Sequence, residues 1–494
     1  MAETNYVPNT KRAQAHLGSV LVLGLGKSGT AAAQYCANLL GTRVSALAVA
    51  AGKESPQART FVEQLRAQGV KAEFDWETFE DRYDVCIASP GISQFSDFYR
   101  NAAAASGEVI SEIEFAWRES AADSRWVAVT GTNGKTTTTS LIAHVLQQAG
   151  LDAQAVGNIG DVCLEAVAHN PAAVYVAEVS SYQLASTKHF APNVAILLNV
   201  TPDHLTWHGS MEEYERAKLK AFANLANVPG AVAVLDATDD VTRGTVRAFK
   251  AQGSTAQRGF AYIPVGTAAG LRESMIARCG SENAAYVDAE ERLHVEFAGT
   301  DHALCAVGDL QIAGDHNVSN ALAAASAAVA LGAADDAISA GLQTFAPLEH
   351  RIEPCGSILG VACYNDSKAT NVDATLKAFA AFPPRTAVVL LGGHDKHTDL
   401  APLVQAANEN AKAVVCFGAA GERFAQAFVD AQAHIPVLRA PWLEDALDAA
   451  LGVASPGDVV VLSPACASFD EFNSFEHRGE VFKQYVAARM AQQE

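Results

Sequence analysis

Three α/β domains, each built on a mainly parallel sheet, are predicted by three observations. Strand-like apolar runs alternate with helical patterns along nearly the whole chain, the signature of parallel sheets covered by helices. Two of those runs pass directly into glycine-rich turns followed by helical sequence: SVLVLGLGKSG at residues 19–29 and RWVAVTGTNGKTTTTS at residues 125–140. A length of 494 residues accommodates about three domains of roughly 150 residues. The boundaries read as 1–122, 123–347 and 348–494.

The elements follow in order. The first region contains SVLVLGLGKSG, an alanine-rich helix, a second strand TRVSALAVAA and the strand YDVCIASPGIS. The second opens at Trp126 and carries the strands VYVAEVSS, VAILLNVT and AVAVLDAT, then a less regular stretch over 240–305. Within that stretch AAYVDAEERLHVEFAG has the pattern of an antiparallel hairpin. The helix HNVSNALAAASAAVALG closes the region, and FAPLEHRIEP, with two prolines among charges, reads as a linker. The third region repeats the alternation through VACYND, TAVVLLGG, AVVCFG and VVVLSPA. Apolar residues at 49% and charged residues at 18% exclude wholesale disorder. A net charge of -20 argues against a nucleic-acid partner. Nine cysteines with no C-x-x-C pair read as thiols of a reducing cytoplasm. No apolar run approaches the roughly 18 residues of a membrane span. A cytoplasmic, monomeric protein without membrane insertion is the expectation.

The most informative turn is GTNGKTTTTS, residues 131–140. Gly131 and Gly134 let backbone N–H groups converge on an anion at a helix N-terminus. Lys135 is placed for terminal phosphates and the Thr136 hydroxyl for magnesium. The spacing GxxxxGK[ST] is not met, because Val129 stands five positions before Gly134. A turn closed by glycine alone leaves the Lys-Thr pair unexplained, so phosphate binding is the stronger reading. GLGKSG matches GxGxxG, but residues 30–53 contain no Asp or Glu to hold the ribose of a dinucleotide. A nicotinamide-dependent oxidoreductase stays as a rival. The other possibility is a different nucleotide diphosphate on this turn, assisted by Ser89, Pro90 and Gly91.

Metal and substrate chemistry gathers at other predicted strand ends. Glu178 ends a buried strand, Asp203 and His204 follow the next, and Asn158 lies in the turn GNIG. Thr136 and Glu178 suit magnesium, which prefers one or two carboxylates with phosphate oxygens. His204 is open to a capping role, and Lys218 to a solvated salt bridge with Glu215 three residues earlier. In the third region NDSKATN, GGHDKHTD and LSPACASFDEF gather hydroxyls and lysines that suit a carboxylate-bearing substrate.

GTNGKTT, the Glu178 strand, TPDH, GDHNVSNALAA, EHR and NDSKATN occur in the order found in the Mur ligases, and the whole chain resembles that family. NDSKATN with LSPACASFDEF is similar to the branch that adds D-glutamate to UDP-N-acetylmuramoyl-L-alanine; the DNPR signature of enzymes adding the third residue is absent. The resemblance implies Rossmann-like terminal domains around a P-loop-type central ATPase. It implies ATP on Gly131, Thr132, Asn133, Gly134, Lys135, Thr136 and Thr137, with Asn317 and Asn320 near the adenine and Arg351 and Asp366 assisting. The nucleotide-sugar would meet Ser28, Ser89, Pro90, Gly91, Asn158 and Gln183. D-Glutamate would meet Thr370, Lys396, Ser468 and the Phe475 backbone. Lys135, Glu178, His204, Lys218 and Lys368 would be catalytic. Two magnesium ions would be held by Thr136, Glu178, His204 and a carbamate on Lys218, which requires a buried lysine of lowered pKa. One departure stands out: the second strand ends in SALAVAA, where the family has an acidic residue against uracil. Other ligases of the superfamily, including the folylpolyglutamate type, and a non-catalytic nucleotide-binding regulator are the remaining alternatives.

Overall fold

The computed structural model describes residues 6–492 apart from Leu271, Ala313, Lys396 and His397. The chain forms two compact units, Met1–Leu310 with Val318–Thr344, and Gln311–Asn317 with Phe345–Glu494.

In the first unit, five parallel strands make an N-terminal sheet: β1 (Gly18–Leu23), β2 (Val44–Ala50), β3 (Lys71–Glu73), β4 (Tyr83–Ala88) and β5 (Ser106–Ser111). Their order is β3-β2-β1-β4-β5, so the connections reverse direction between β1 and β4. Ligands of such sheets lie beyond the carboxyl ends of the strands at that point.

A second sheet holds β6 (Arg125–Thr130), β7 (Ala153–Gly157), β8 (Val174–Glu178), β9 (Val194–Leu197), β10 (Val232–Asp236), β11 (Ala261–Ala269), β12 (Ala284–Val287), β13 (Arg292–Phe297) and β14 (Thr300–Ala306). The order is β14-β13-β12-β11-β10-β9-β6-β8-β7. Strands β6–β12 run parallel, whereas β12–β13 and β13–β14 are antiparallel. The expected hairpin therefore extends one edge. The stretch over 240–305 is more regular than its sequence suggests: β11 is a nine-residue strand whose Pro264 interrupts the β-pattern.

The two sheets of this unit share one core, in which the Phe190 ring meets Trp117 and Trp126 at 6.2 and 6.0 Å. The helix Glu112–Glu119 is buried along its whole length. Its carboxylates serve backbone in a helix and a loop that flank the central sheet. Glu112 accepts from Leu164 N–H at 2.6 Å, and Glu114 accepts from Lys188 N–H and from His189 N–H at 3.1 Å while pairing with Arg118. Glu114 is well satisfied by these partners, whereas Glu112 keeps one buried oxygen without a partner and has its pKa pushed up to about 7 by burial.

The second unit contains β15 (Glu353–Ile358), β16 (Val361–Asn365), β17 (Ala387–Gly392), β18 (Ala411–Phe417), β19 (Val437–Arg439) and β20 (Val459–Leu462), in the order β15-β16-β20-β17-β18-β19. Only the β15–β16 pair is antiparallel. Apolar layers cover both faces, which explains the uninterrupted apolar runs of β17 and β18. Among the described residues no helix is long and apolar enough to cross a membrane.

Candidate active site

The phosphate-type turn leaves β6 and enters the helix Lys135–Gln148. Gly131 and Gly134 hold φ of +154° and +85°, conformations that favour glycine. Space adds a second constraint, since a Cβ on Gly134 would lie 2.7 Å from Asn320 Oδ1. Neighbouring strands fix the loop. Asn199, just past β9, accepts from Asn133 N–H at 2.8 Å and donates to the Asn133 carbonyl at 3.0 Å. Thr132 Oγ1 shares a hydrogen bond with the Tyr214 hydroxyl at 2.9 Å and accepts from Thr201 N–H at 3.0 Å. Asn320 accepts from Thr138 Oγ1 at 3.1 Å, so this predicted adenine contact lies against the loop's own helix.

Two lysines converge on one carbonyl. Lys135 Nζ donates to the Gly131 and Thr132 carbonyls at 2.9 and 2.8 Å, and Lys218 Nζ donates to the Gly131 carbonyl at 2.7 Å. Lys218 is 1% exposed and stands over the Tyr214 ring at 4.6 Å. Burial first, then the neighbouring Lys135 charge, hold its pKa well below the ordinary lysine value, against the opposing pull of Asp203 and Glu178. The solvated salt bridge with Glu215 is thus not formed; Arg216 instead pairs with Glu213 at 2.7 Å. The difference arises because Tyr214 and Lys218, four residues apart, share the inward face of the helix Met211–Leu219.

Glu178 ends β8 opposite Val129 and is 2% exposed. Its Oε1 accepts from Asn158 Nδ2 at 2.9 Å, while its buried Oε2 has no hydrogen-bond partner. An orphaned buried carboxylate oxygen is what a cation would satisfy. Thr136 sits half-buried in the first turn of the loop helix. His204 adopts φ +55° at the start of the short helix Leu205–His208 and makes no side-chain cap. Its ring packs on Tyr182 at 4.8 Å. Nearby His208 is fully buried, donates to or accepts from Ser181 Oγ at 2.9 Å, and has its pKa lowered to about 4 by burial and by the charges of His204 and Lys218.

A cavity of ≈ 800 Å³ brings together all six residues expected at the nucleotide-sugar: Ser28, Ser89, Pro90, Gly91, Asn158 and Gln183. Ser89 Oγ donates to the Gly24 carbonyl at 3.0 Å, locking two glycine turns together. Gln183 Oε1 caps its own helix by accepting from Ser180 N–H at 2.9 Å. The wall also contains Lys27 and Lys53, and Trp76 with Asp75 and Glu77. The carboxylates missing from the second strand thus stand one strand over, after β3.

In the second unit, Thr370, Ser468 and Phe475 occupy turns around β16 and β20 and the start of the helix Phe475–Ala491. Lys368 Nζ lies 3.7 Å from the Phe475 ring centroid, and Ser367 Oγ donates to the Phe475 carbonyl at 2.8 Å. Lys396 lies outside the described residues. Asp366 accepts from Ser463 Oγ at 2.7 Å and from Ile352 N–H at 3.3 Å; burial pushes its pKa up to about 7 despite the nearby Arg351. Asn317 belongs to this unit and donates its N–H to the Gly314 carbonyl at 2.8 Å. Only one group of three His, Cys, Asp or Glu donors within 4.8 Å of each other occurs among the described residues, Glu349, His350 and Glu480. Lys483 ion-pairs with both of its glutamates, at 2.5 and 2.8 Å, which accounts for the cluster without a metal.

Residues 129–328 match the Mur ligase middle domain, and residues 350–466 match the Mur ligase, glutamate ligase domain. A protein of Halalkalibacterium halodurans named UDP-N-acetylmuramoylalanine--D-glutamate ligase is 37% identical over 475 residues, covering 95% of this chain and 97% of its own. The chain is a Mur ligase. A protein of Koribacter versatilis with the same name is 35% identical to this Mur ligase over 480 residues, 96% of this chain and 98% of its own. Among solved structures, a pseudomurein peptide ligase type C from Methanothermus fervidus aligns with a TM-score of 0.55 at 17% identity, over 96% of this chain and all of that one. MurF from Acinetobacter baumannii aligns at 0.54 and 18%, over 83% and 91%. At such identities these two likenesses speak for the fold alone.

Sequence reasoning about this Mur ligase missed Asn199, Tyr214, His208 and the cavity wall after β3. Tyr214 was findable, since it sits four residues before Lys218 on one helix face. Asn199 looks like any polar residue at a strand end, and nothing local marks Asp75 or Trp76.

Proposed function

We propose that this Mur ligase joins D-glutamate to UDP-N-acetylmuramoyl-L-alanine with hydrolysis of ATP to ADP and phosphate. The observation that carries this reading lies inside the first unit. The ≈ 800 Å³ cavity reaches Asn158, whose amide holds Glu178, and Glu178 pairs in register with Val129 on the strand that feeds the phosphate loop. A nucleotide-sugar in that cavity therefore has its acyl end beside bound ATP. The full-length likeness to proteins named for D-glutamate addition supports the choice of amino acid.

In this reading ATP phosphates lie along residues 131–137. An oxygen of the L-alanyl carboxylate attacks the γ-phosphorus, ADP leaves, and an acyl phosphate forms. The D-glutamate amine then attacks the acyl carbon; the C–N bond forms, the bond to phosphate breaks, and the amine proton passes to solvent. Lys135 and Lys368 offset charge on the transferring oxygens, the main source of catalysis in such reactions. Thr136, Glu178, His204 and a Lys218 carbamate would hold two magnesium ions, which supply charge neutralisation for the phosphoryl group. Support comes from the orphaned Glu178 oxygen and from Lys218, whose pKa is lowered by burial, the direction that favours the uncharged amine needed to take up carbon dioxide.

The test is phosphate release from ATP with purified enzyme. Release should require both UDP-N-acetylmuramoyl-L-alanine and D-glutamate; equal turnover with L-glutamate, or none with D-glutamate, sinks the proposal.

A further inference from the structure

The helix Phe475–Ala491 starts at a Ser474 cap, and its fourth residue, Arg478, is fully buried. Its guanidinium spans the two turns that follow the paired strands β16 and β20. Nε donates to Ser367 Oγ at 2.9 Å and Nη2 to the Ser367 carbonyl at 2.8 Å. From the same group, Nη1 reaches the Ala467 carbonyl and Nη2 the Cys466 carbonyl, both at 3.1 Å. Four of its five N–H donors are thereby spent on the turns that carry Thr370 and Ser468.

Charge makes this arrangement unusual. Among the described residues Arg478 forms no ion pair; Asp366, Asp470 and Glu471 act on it only at longer range. Burial lowers its pKa to about 10, so it remains a cation at neutral pH. A buried cation without a counter-ion is costly, and neutral carbonyls and a hydroxyl offset only part of that cost. The remaining positive charge lies beneath two turns rich in hydroxyls. Peptide geometry adds direction. The Ala467 carbonyl is drawn to Arg478 and also accepts from His394 N–H at 2.8 Å. In a trans peptide the N–H points opposite to the carbonyl, so the Ser468 N–H is turned away from the guanidinium, toward the side of the turn that carboxylates would approach.

We infer that Arg478 is a positioning residue for the amino-acid substrate. It clamps the Ser367 and Ala467 turns in one geometry, and its charge is completed by a dicarboxylic amino acid bound above them. The inference rests on the function proposed above and assigns Arg478 no contact with the reacting atoms.

Substitution separates this role from a general structural one, because acyl-phosphate formation does not involve the amino acid. Arg478→Gln should raise KM for D-glutamate about tenfold or more with KM for ATP and the UDP-substrate nearly unchanged, the pattern of lost binding rather than lost chemistry. Hydroxylamine trapping of the acyl phosphate without amino acid should keep its rate. Arg478→Lys keeps the charge without the fork and should be intermediate; Ser367→Ala, which frees one of the four Arg478 donors and also releases the Phe475 carbonyl, should raise the same KM about threefold. Where Arg478→Gln does not fold, Arg478→Lys and Ser367→Ala carry the test. Parallel losses in trapping and in all three KM values, or an unchanged D-glutamate KM in folded variants, overturn the inference. A wild-type enzyme indifferent to D-glutamate overturns the functional reading, and this inference with it.

Discussion

The turns after β1 and β6 are alike in backbone and unlike in what stands behind them. Each passes from a buried strand through a glycine of positive φ (Gly24 at +82°, Gly134 at +85°) to a helix N-terminus. Behind Gly24 lies a neutral hydroxyl, Ser89 Oγ, and Gly29 packs so tightly that a Cβ there would fall 2.0 Å from the Gly24 carbonyl. Behind the second turn lie a buried lysine, a buried carboxylate with an orphaned oxygen, and Lys135 folded over the loop. In the proposed function the first turn would hold the diphosphate of the nucleotide-sugar. The second keeps charges out of water at a cost to stability, which is how a site becomes preorganised for a charged transition state.

The largest effect that tests this contrast is at Lys218. Lys218→Ala should abolish ligation, and added formate or acetate should restore part of it. Its stability should move the other way. Burial holds the folded-state pKa below the unfolded value, so as pH falls the unfolded chain takes up this proton first and folding bears the cost of keeping the amine out of water. Stability from this group therefore falls as pH drops from the unfolded pKa toward the folded one. Lys218→Met removes that penalty and should be as stable as the parent at pH 7, or more stable by about 1 kcal/mol. A clear drop in melting temperature would show that the amine's bond to Gly131 outweighs its burial.

Next is Lys135→Ala, expected to lower kcat by about 10²- to 10³-fold while KM for the UDP-substrate, held on the other turn, stays put. An unchanged kcat would remove the catalytic distinction between the turns. The smallest effect is at Gly29→Ala. Overpacking against the Gly24 carbonyl should cost about 1–3 kcal/mol of stability and raise KM for the UDP-substrate, leaving the ATP KM alone; a rise confined to ATP would reverse the assignment of the two turns.

How much was legible depended on whether the signal was local. The strand-turn-helix units, the β12–β13 hairpin and the residues at strand ends follow from periodicity and turn chemistry, because side-chain direction repeats every two or 3.6 residues. Lys218 was ambiguous for the same reason: spacing offered Glu215 as a partner, and only helix rotation put the lysine indoors. β11 was obscured by Pro264, which removes a backbone donor and breaks the strand pattern. Arg478 carried no sequence signal, since an arginine on a helix near the chain's end reads as a solvated charge until its burial is seen.

By itself the sequence determined the three-sheet α/β plan, the phosphate turn and the residue types available at each strand end. These depend on interactions between near neighbours. Only the tertiary structure decided which of those residues are withdrawn from water, Lys218 and Glu178 around the phosphate loop and Arg478 under the C-terminal turns, and which line the cavity, as Asp75 and Trp76 do. Burial is set by what the rest of the chain packs against a side chain. It is burial, more than identity, that lowers the pKa of a lysine and leaves a carboxylate oxygen without a hydrogen-bond partner.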